Sequence, residues 1–141
     1  FLLSRKKPLP ENLINNNKEY YIKSMLGRLS NTKQFIEKEV VDTYIKKFSK
    51  KSIFASCEDY RAAASCDLDH DNKDFDSNNK IKCPILVLWG QKSDTGKVWG
   101  DVLNTWQQYS EQKVIGEGLE CGHYLQEEQP EQVLTWLSKF L

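Results

Sequence analysis

The strongest candidate for chemistry in this sequence is His123, which lies in the segment 120–125. This segment follows a predicted short strand and precedes the last predicted helix. The loop after the carboxyl end of a parallel strand is where active sites of α/β proteins lie. Gly122 allows the backbone to approach a neighbour closely, and an imidazole there can act as a general base near neutral pH. A Gly-His pair alone is equally compatible with a structural role.

A histidine base needs a nucleophile and an orienting acid, and this sequence offers a candidate for the acid only. Asp94, four residues after Gly90, is that candidate, although a turn residue within 91–96 is the favoured interpretation. The chain contains no G-x-S-x-G nucleophile elbow, and no other residue stands out as a nucleophile. His70, the other of the two histidines, lies among aspartates and is predicted to be solvated.

The acidic segment 67–80 and the four cysteines do not indicate a metal site. The Asp67-x-Asp69-x-Asp71 spacing resembles a calcium loop, but its sixth position is Asn72 rather than Gly and its twelfth is Asn78 rather than Glu. A solvated connector is therefore predicted. The cysteines form no CxxC pair and lack a histidine cluster, so we expect reduced, mostly buried thiols in a cytoplasmic protein, with no metal and no cofactor.

Residues 57–63 combine polar side chains with an alanine face. The Tyr60 hydroxyl can donate one oriented hydrogen bond. From spacing alone, the favoured interpretation is a helix that packs on its alanine face, with Arg61 paired to an acid.

The elements that must position these residues divide into a helical half and an α/β half. In the first half, Pro8 and Pro10 predict an extended entry and the Asn15-Asn16-Asn17 run predicts a loop that caps a helix from Lys18. A second helix is predicted from an apolar stripe and a third after Ser52. The stripe comprises Ile36, Val40, Val41, Tyr44, Ile45 and Phe48.

In the second half, the apolar run from Ile85 to Trp89, ended by Gly90, predicts a strand that is buried on both faces, as in parallel sheets. A helix is predicted around 98–109, a short strand near 113–115 and a last helix from Pro130. The predicted buried face of the last helix comprises Val133, Leu134, Trp136, Leu137 and Phe140. Because two strands make a marginal sheet, we expect the C-terminal piece of a larger α/β domain; the first residue, Phe1 rather than Met, agrees with that expectation.

Charge and hydropathy exclude several classes of protein. The 141 residues carry 20 basic and 20 acidic side chains, a formal net charge of +0, which does not suit a strongly basic nucleic-acid binder. Residues 1–51 hold 12 basic and 5 acidic groups, but these lysines lie on polar helix faces without interleaved aromatics, so a solvated surface explains them. No run of 18 apolar residues predicts a membrane helix. We therefore expect neither a nucleic-acid nor a membrane partner.

Motifs along nearly the whole chain are those of one known family. They are Leu9-Pro10-Glu11-Asn12-Leu13, Tyr44…Phe48, Cys57-Glu58-Asp59-Tyr60-Arg61-Ala62, Pro84-Ile85-Leu86-Val87-Leu88-Trp89-Gly90, Trp106, Cys121-Gly122-His123-Tyr124-Leu125 and Glu127-Glu128-x-Pro130. Together they resemble the C-terminal half of the haloacetate (fluoroacetate) dehalogenases in the α/β-hydrolase superfamily. The Glu-Asp-Tyr-Arg-Ala string is the specific part, whereas Trp-Gly and Gly-His are shared by many α/β hydrolases.

The resemblance implies a helical cap over a doubly wound parallel sheet. In that family an Asp carboxylate displaces halide from a 2-haloacid to form an ester, and a His oriented by a second Asp activates water to hydrolyse it. His123 matches that histidine. Tyr60 matches the cap tyrosine that, with a His-Trp pair, donates hydrogen bonds to the departing halide.

The chain also departs from the family pattern. The nucleophilic Asp, its acid partner, the carboxylate-binding arginines and the His-Trp pair would all lie upstream of Phe1. Leu29 stands where a relative can carry tryptophan, so a different acyl pocket is expected. The turn after Gly90 differs as well, which leaves Asp94 as a candidate substitute acid.

The sequence therefore predicts a partial α/β-hydrolase fold, with a helical cap segment in 1–76 and the C-terminal part of the core in 77–141. The predicted function is that of a dehalogenase-like hydrolase part, inactive alone, that takes a small haloacid or ester as substrate. A related epoxide or ester hydrolase, and a non-catalytic remnant or binding protein from a split reading frame, are the alternatives. A separately encoded N-terminal half is the expected partner, and a homodimer is left open.

Overall fold

The computed structural model describes residues 2–30 and 36–141. These fall into two compact units: Phe1–Met25 with Glu37–Asn78, and Leu26–Ile36 with Asn79–Leu141. Residues 31–35 lie outside the described residues. The division into a cap and a core segment at residue 76 stays a prediction.

Helices make up the first unit. They are α1 (Leu9–Asn16), the first part of α2 (Lys18–Leu29), α3 (Lys38–Lys47), α4 (Lys50–Ala63) and α5 (Cys66–Asp76). The predicted start near Lys18 and the second helix are thereby confirmed.

The predicted extended entry is wrong, because α1 begins beside the two prolines. Pro8 precedes the helix and Pro10 lies in its first turn. A proline there costs nothing, since the first N–H groups of a helix have no intrahelical partner. Asn15 and Asn16 belong to α1 rather than to a loop, and the Asn17 side chain donates a hydrogen bond to the Leu13 carbonyl (3.2 Å).

The third predicted helix begins earlier than expected, at Lys50. The Ser49 hydroxyl caps it by accepting a hydrogen bond from the Ser52 amide (3.2 Å). The buried centre of this unit consists of Ile14 from α1 with Ile53 and Cys57 from α4. The α1–α4 pair is thus the core on which the unit is built.

Most of the acidic segment 67–80 is helical and forms α5. The residues of α5 are all exposed, as predicted for a solvated segment. Asp67 and Asp69 lie in its first turn, where negative charge interacts favourably with the helix dipole. Local electrostatics therefore favours a helix in this solvated segment.

The second unit contains a parallel two-stranded sheet. Strand β1 (Leu86–Gly90) pairs with β2 (Ile115–Leu119), in register from Leu86 opposite Ile115 to Gly90 opposite Leu119. The predicted apolar strand and its parallel pairing are confirmed. Its burial on both faces is not, because residues 85–89 are half-buried and β2 is the one strand that pairs with β1 in the described part of the chain.

Strand β2 lies later than the predicted 113–115. The glycines of β2 interrupt the alternation of apolar and polar residues by which a strand is predicted. Gly116 is nevertheless required by the pairing, because a Cβ atom there would lie 1.7 Å from the Val87 carbonyl oxygen. The predicted helix around 98–109 is two shorter helices, α6 (Asp94–Val98) and α7 (Val102–Gln107). Gly100, with φ of +60°, separates them, and the Asp101 side chain caps α7.

The last two helices are α8 (Leu125–Glu128) and α9 (Pro130–Phe140), so the start at Pro130 is confirmed. The predicted burial of one face of α9 is not found: Leu134 and Leu137 are exposed, and Val133, Trp136 and Phe140 are half-buried. The Trp136 indole N–H donates to the Glu117 carboxylate (2.9 Å), which joins α9 to β2. Among the helices described, none is both long enough and apolar enough to cross a membrane.

The four cysteines are free thiols. Cys57 and Cys121 are buried as expected, whereas Cys66 and Cys83 are exposed. The expectation of mostly buried thiols thus holds for two of the four.

Candidate active site

The two strand ends of the second unit meet through a glycine contact. A Cβ atom at Gly90, the last residue of β1, would lie 1.7 Å from the Gly122 carbonyl oxygen and 2.8 Å from that of Cys121. Only a residue without a side chain lets the loop after β2 approach so closely. This contact brings the segment that carries His123 against the carboxyl end of β1.

Backbone hydrogen bonds continue this contact into the turn after β1. The Gln91 amide donates to the Leu119 carbonyl (2.9 Å) and the Lys92 amide to the Cys121 carbonyl (3.1 Å). The buried Ser93 closes the turn, because its hydroxyl donates to the Gly90 carbonyl (2.6 Å) and accepts from the Gly96 amide (3.4 Å). The Ser93 hydroxyl is therefore occupied by the fold.

The three amides around the histidine all have partners. The Gly122 amide donates to Glu128 Oε2 (3.0 Å) and the Tyr124 amide to Glu128 Oε1 (3.2 Å). Between them, the His123 amide donates to the Leu29 carbonyl (2.9 Å). The backbone of the loop is thereby held on both sides of His123.

The imidazole of His123 is exposed and lines a pocket of about 430 Å³. The same pocket is lined by β1, by Trp99, Val102 and Trp106, and by Leu125. The Tyr124 ring lies edge-on to the imidazole, with ring centroids 5.3 Å apart. Within residues 2–30 and 36–141, no side chain hydrogen-bonds to this imidazole, so it is available to water or a substrate group.

The thiol nearest in sequence to the histidine is not suited to nucleophilic attack. Burial raises the pKa of the Cys121 thiol, and the negative charges of Glu128 and Glu120 raise it further. A nucleophilic cysteine requires the opposite shift, because the thiolate is the reactive form. With the Ser93 hydroxyl also occupied, the described part of this pocket holds the His123 imidazole and no activated nucleophile.

Asp94 is the first residue of α6 and is exposed. Its neighbours Ser93 and Thr95 line the pocket, whereas Asp94 itself does not, and in the described chain no hydrogen bond joins it to His123. The structure therefore places Asp94 at a helix start, and its role as a substitute acid stays a prediction.

Tyr60 lies on α4 in the first unit and is partly exposed, whereas His123 and Asp94 belong to the second unit. Its neighbour Arg61 is paired with acids, as the sequence predicts. The guanidinium contacts Glu11 (2.8 Å) and Glu58, and it donates twice to the Arg5 carbonyl (2.9 and 2.8 Å). Arg61 thus joins α1 and the residues before it to α4.

Sequence reasoning assigned no role to two residues that shape this site. Glu128 lies in the Glu127-Glu128-x-Pro130 motif, and the acidic pair before a proline in this motif could have indicated a role for Glu128. No sequence feature could have indicated the role of Ser93, because serines are common in polar turns. No group of three or more potential metal ligands lies together in the described residues.

Comparison with known proteins identifies the fold. No model of a protein family matches the chain. Solved structures similar to it include an α/β hydrolase candidate from Nostoc sp. PCC 7120 (41% identity, TM-score 0.90, covering 99% of this chain and 47% of that chain). A candidate acyltransferase from Salmonella enterica is 34% identical, with a TM-score of 0.90 and coverage of 99% and 46%. A candidate epoxide hydrolase from Pseudomonas aeruginosa is 32% identical, with a TM-score of 0.88 and coverage of 100% and 47%.

The chain therefore has the fold of the C-terminal portion of α/β hydrolases, which confirms the predicted fold class. It spans about half the length of the solved structures it matches.

Proposed function

We propose that this chain supplies the histidine base of an α/β hydrolase, and that His123 activates water to hydrolyse a covalent enzyme–substrate ester. The placement of His123 carries the proposal. Its imidazole is exposed in a pocket, directly after β2 and beside the end of β1, on a loop whose three amides are all held. A complementary N-terminal part provides the nucleophile.

The proposed reaction has two steps. A carboxylate of the complementary part attacks the substrate carbon; a C–O bond forms, and the leaving group departs with its bonding electron pair. His123 then removes a proton from water while the water oxygen attacks the carbonyl carbon of the ester. The ester C–O bond breaks, the histidine proton passes to the departing alkoxide, and the carboxylate is restored with release of one proton to solvent.

The substrate class we propose is a small 2-haloacid, with halide as the leaving group in the cytoplasm. Support comes from the resemblance of the motifs around Tyr60 and His123 to the haloacetate dehalogenases. In this proposal the Tyr60 hydroxyl donates a hydrogen bond to the departing halide, where negative charge develops.

The test uses an assembled enzyme, in which this chain replaces the matching part of the Nostoc α/β hydrolase. We expect His123→Gln to release one equivalent of halide from fluoroacetate or chloroacetate and then stop, with the ester visible as a mass increase of the protein. His70→Gln is the matched control, because His70 lies on the exposed α5. Turnover by His123→Gln at the rate of the parent enzyme would overturn the proposal.

A panel of substrates separates the alternatives. If Tyr60→Phe lowers the turnover of haloacids but not the turnover of esters, the haloacid class is supported. Turnover of epoxides or esters alone supports a related hydrolase. No turnover by an assembled enzyme that is folded, and whose Nostoc parent is active on the panel, supports a non-catalytic binding protein.

A further inference from the structure

Glu128 spans the backbone on both sides of the proposed base. Its Oε2 accepts from the Gly122 amide at 3.0 Å and its Oε1 from the Tyr124 amide at 3.2 Å. The amide of Glu128 in turn donates to the Tyr124 carbonyl (2.8 Å), which closes the first turn of α8. We propose that Glu128 is a positioning residue, which sets the direction in which the His123 imidazole enters the pocket.

The carboxylate is the group this geometry requires. The Gly122 and Tyr124 amides need two acceptor atoms, and an ionised carboxylate has only acceptors. Such charge-assisted bonds are shorter and stronger than bonds between neutral groups. A glutamine in the same place can accept from one amide and presents N–H donors to the other.

The peptide of Gly122 is held from two directions. Its N–H is bound by Glu128, while its carbonyl oxygen packs where a Cβ atom of Gly90 would be. The imidazole of His123 has no hydrogen bond to a side chain within the described residues, so the direction of this side chain depends on the backbone that carries it. Loss of the Glu128 carboxylate is therefore expected to change the position of the imidazole through the backbone on either side of it.

This inference rests on the proposed function of His123, and its test separates the two. In the assembled enzyme, formation of the ester does not use His123, whereas its hydrolysis does. We expect Glu128→Ala to slow hydrolysis of the ester about 100-fold, the loss that a small misplacement of a catalytic group can cause. Formation of the ester, measured as the first equivalent of halide, stays within about twofold of the parent, in keeping with a loss confined to the base.

Two further variants make the measurement specific. Glu128→Gln, which keeps the size of the side chain and one acceptor, should lie between the parent and Glu128→Ala. Glu131→Gln removes the same charge from an exposed position in the first turn of α9 and should change neither step. Equal loss in both steps, or hydrolysis at the parent rate in Glu128→Ala and Glu128→Gln, would overturn the positioning role.

The ring signal of His123 in an NMR spectrum tests the geometry without activity. This signal is assigned by its loss in His123→Gln. We expect it to shift and broaden in Glu128→Ala and to stay unchanged in Glu131→Gln. An unchanged signal in Glu128→Ala overturns the inference, whereas a changed signal together with normal turnover by His123→Gln supports the positioning and overturns the proposed function.

Discussion

Gly90 has no room for a side chain, because the Gly122 carbonyl oxygen already occupies that space. We expect Gly90→Ala to lower the free energy of unfolding of the assembled enzyme by about 2 kcal/mol, the usual effect of overpacking, and to slow hydrolysis of the ester. Chemical denaturation and the hydrolysis assay measure the two effects.

Gly27→Ala is the control for that variant, because Gly27 lies in the exposed last turn of α2 and, among the described residues, no atom beyond the adjoining helix backbone lies within 4 Å of its added Cβ. Alanine is favoured over glycine in a helix by about 1 kcal/mol, so this variant should be slightly more stable than the parent. A Gly90→Ala variant as stable as Gly27→Ala would contradict the proposed contact.

At this scale, the sequence indicated which residue could be the base but not what holds it. The pattern of a glycine and a histidine after a strand predicts His123 by residue type alone. The partner of a backbone amide depends instead on how a loop returns on itself. Glu128 could not be distinguished from the acidic Glu127 beside it without coordinates.

At the scale of elements, the ionic cluster that joins α1 to α4 should make their pairing sensitive to acid. Burial opposes ionisation of Glu11, but hydrogen bonding and the Arg61 guanidinium outweigh it and lower the pKa of that carboxyl below 4.5. Hydrogen bonds from Lys7 and Arg61 lower the pKa of Glu58. Both carboxyls bind protons more weakly in the folded than in the unfolded state, so their contribution is complete above about pH 4.5 and is lost as the pH falls through the lowered values.

We therefore expect protection of the α1 and α4 amides against hydrogen exchange to fall below about pH 4.5 in the parent chain. In Arg61→Met the protection should already be lower at neutral pH and should change less on acidification. Lys38→Met, which removes one partner of an exposed pair with Asp42, is the control and should behave like the parent. Equal acid dependence in the parent and in Arg61→Met would show that this cluster does not couple the two helices.

The elements that sequence patterns predicted are those with a continuous apolar or capping signal, such as β1 and α9. The elements that sequence patterns did not predict correctly, α1 and β2, contain residues that are compatible with two different local structures. Prolines indicate either an extended segment or the first turn of a helix, and the second holds for α1. Gly116 breaks the alternation expected of a strand, yet β2 needs it because the Val87 carbonyl lies so close.

At the scale of the whole molecule, the two-stranded sheet is expected to contribute little stability. Two strands of five residues, with β1 half-buried, leave apolar surface that a larger sheet would cover. We expect the 141-residue chain alone to unfold over a broad temperature range, and mixing with the separately expressed N-terminal part of the Nostoc hydrolase to sharpen the transition. A sharp transition of the chain alone would favour the binding-protein alternative.

Parallel pairing itself was predictable, since an apolar run such as 85–89 is typical of covered parallel sheets.

Because the chain divides into two units, tryptophan fluorescence and circular dichroism follow the unfolding of different parts of this protein. All four tryptophans, Trp89, Trp99, Trp106 and Trp136, belong to the unit with the sheet, and the helical unit contains tyrosine but no tryptophan. Tryptophan emission therefore follows the unfolding of the unit that carries His123, while far-ultraviolet circular dichroism is weighted towards α1, α3, α4 and α5. Two midpoints from one heated sample would mean that each half of the chain melts by itself, and a single midpoint would mean that they melt as one.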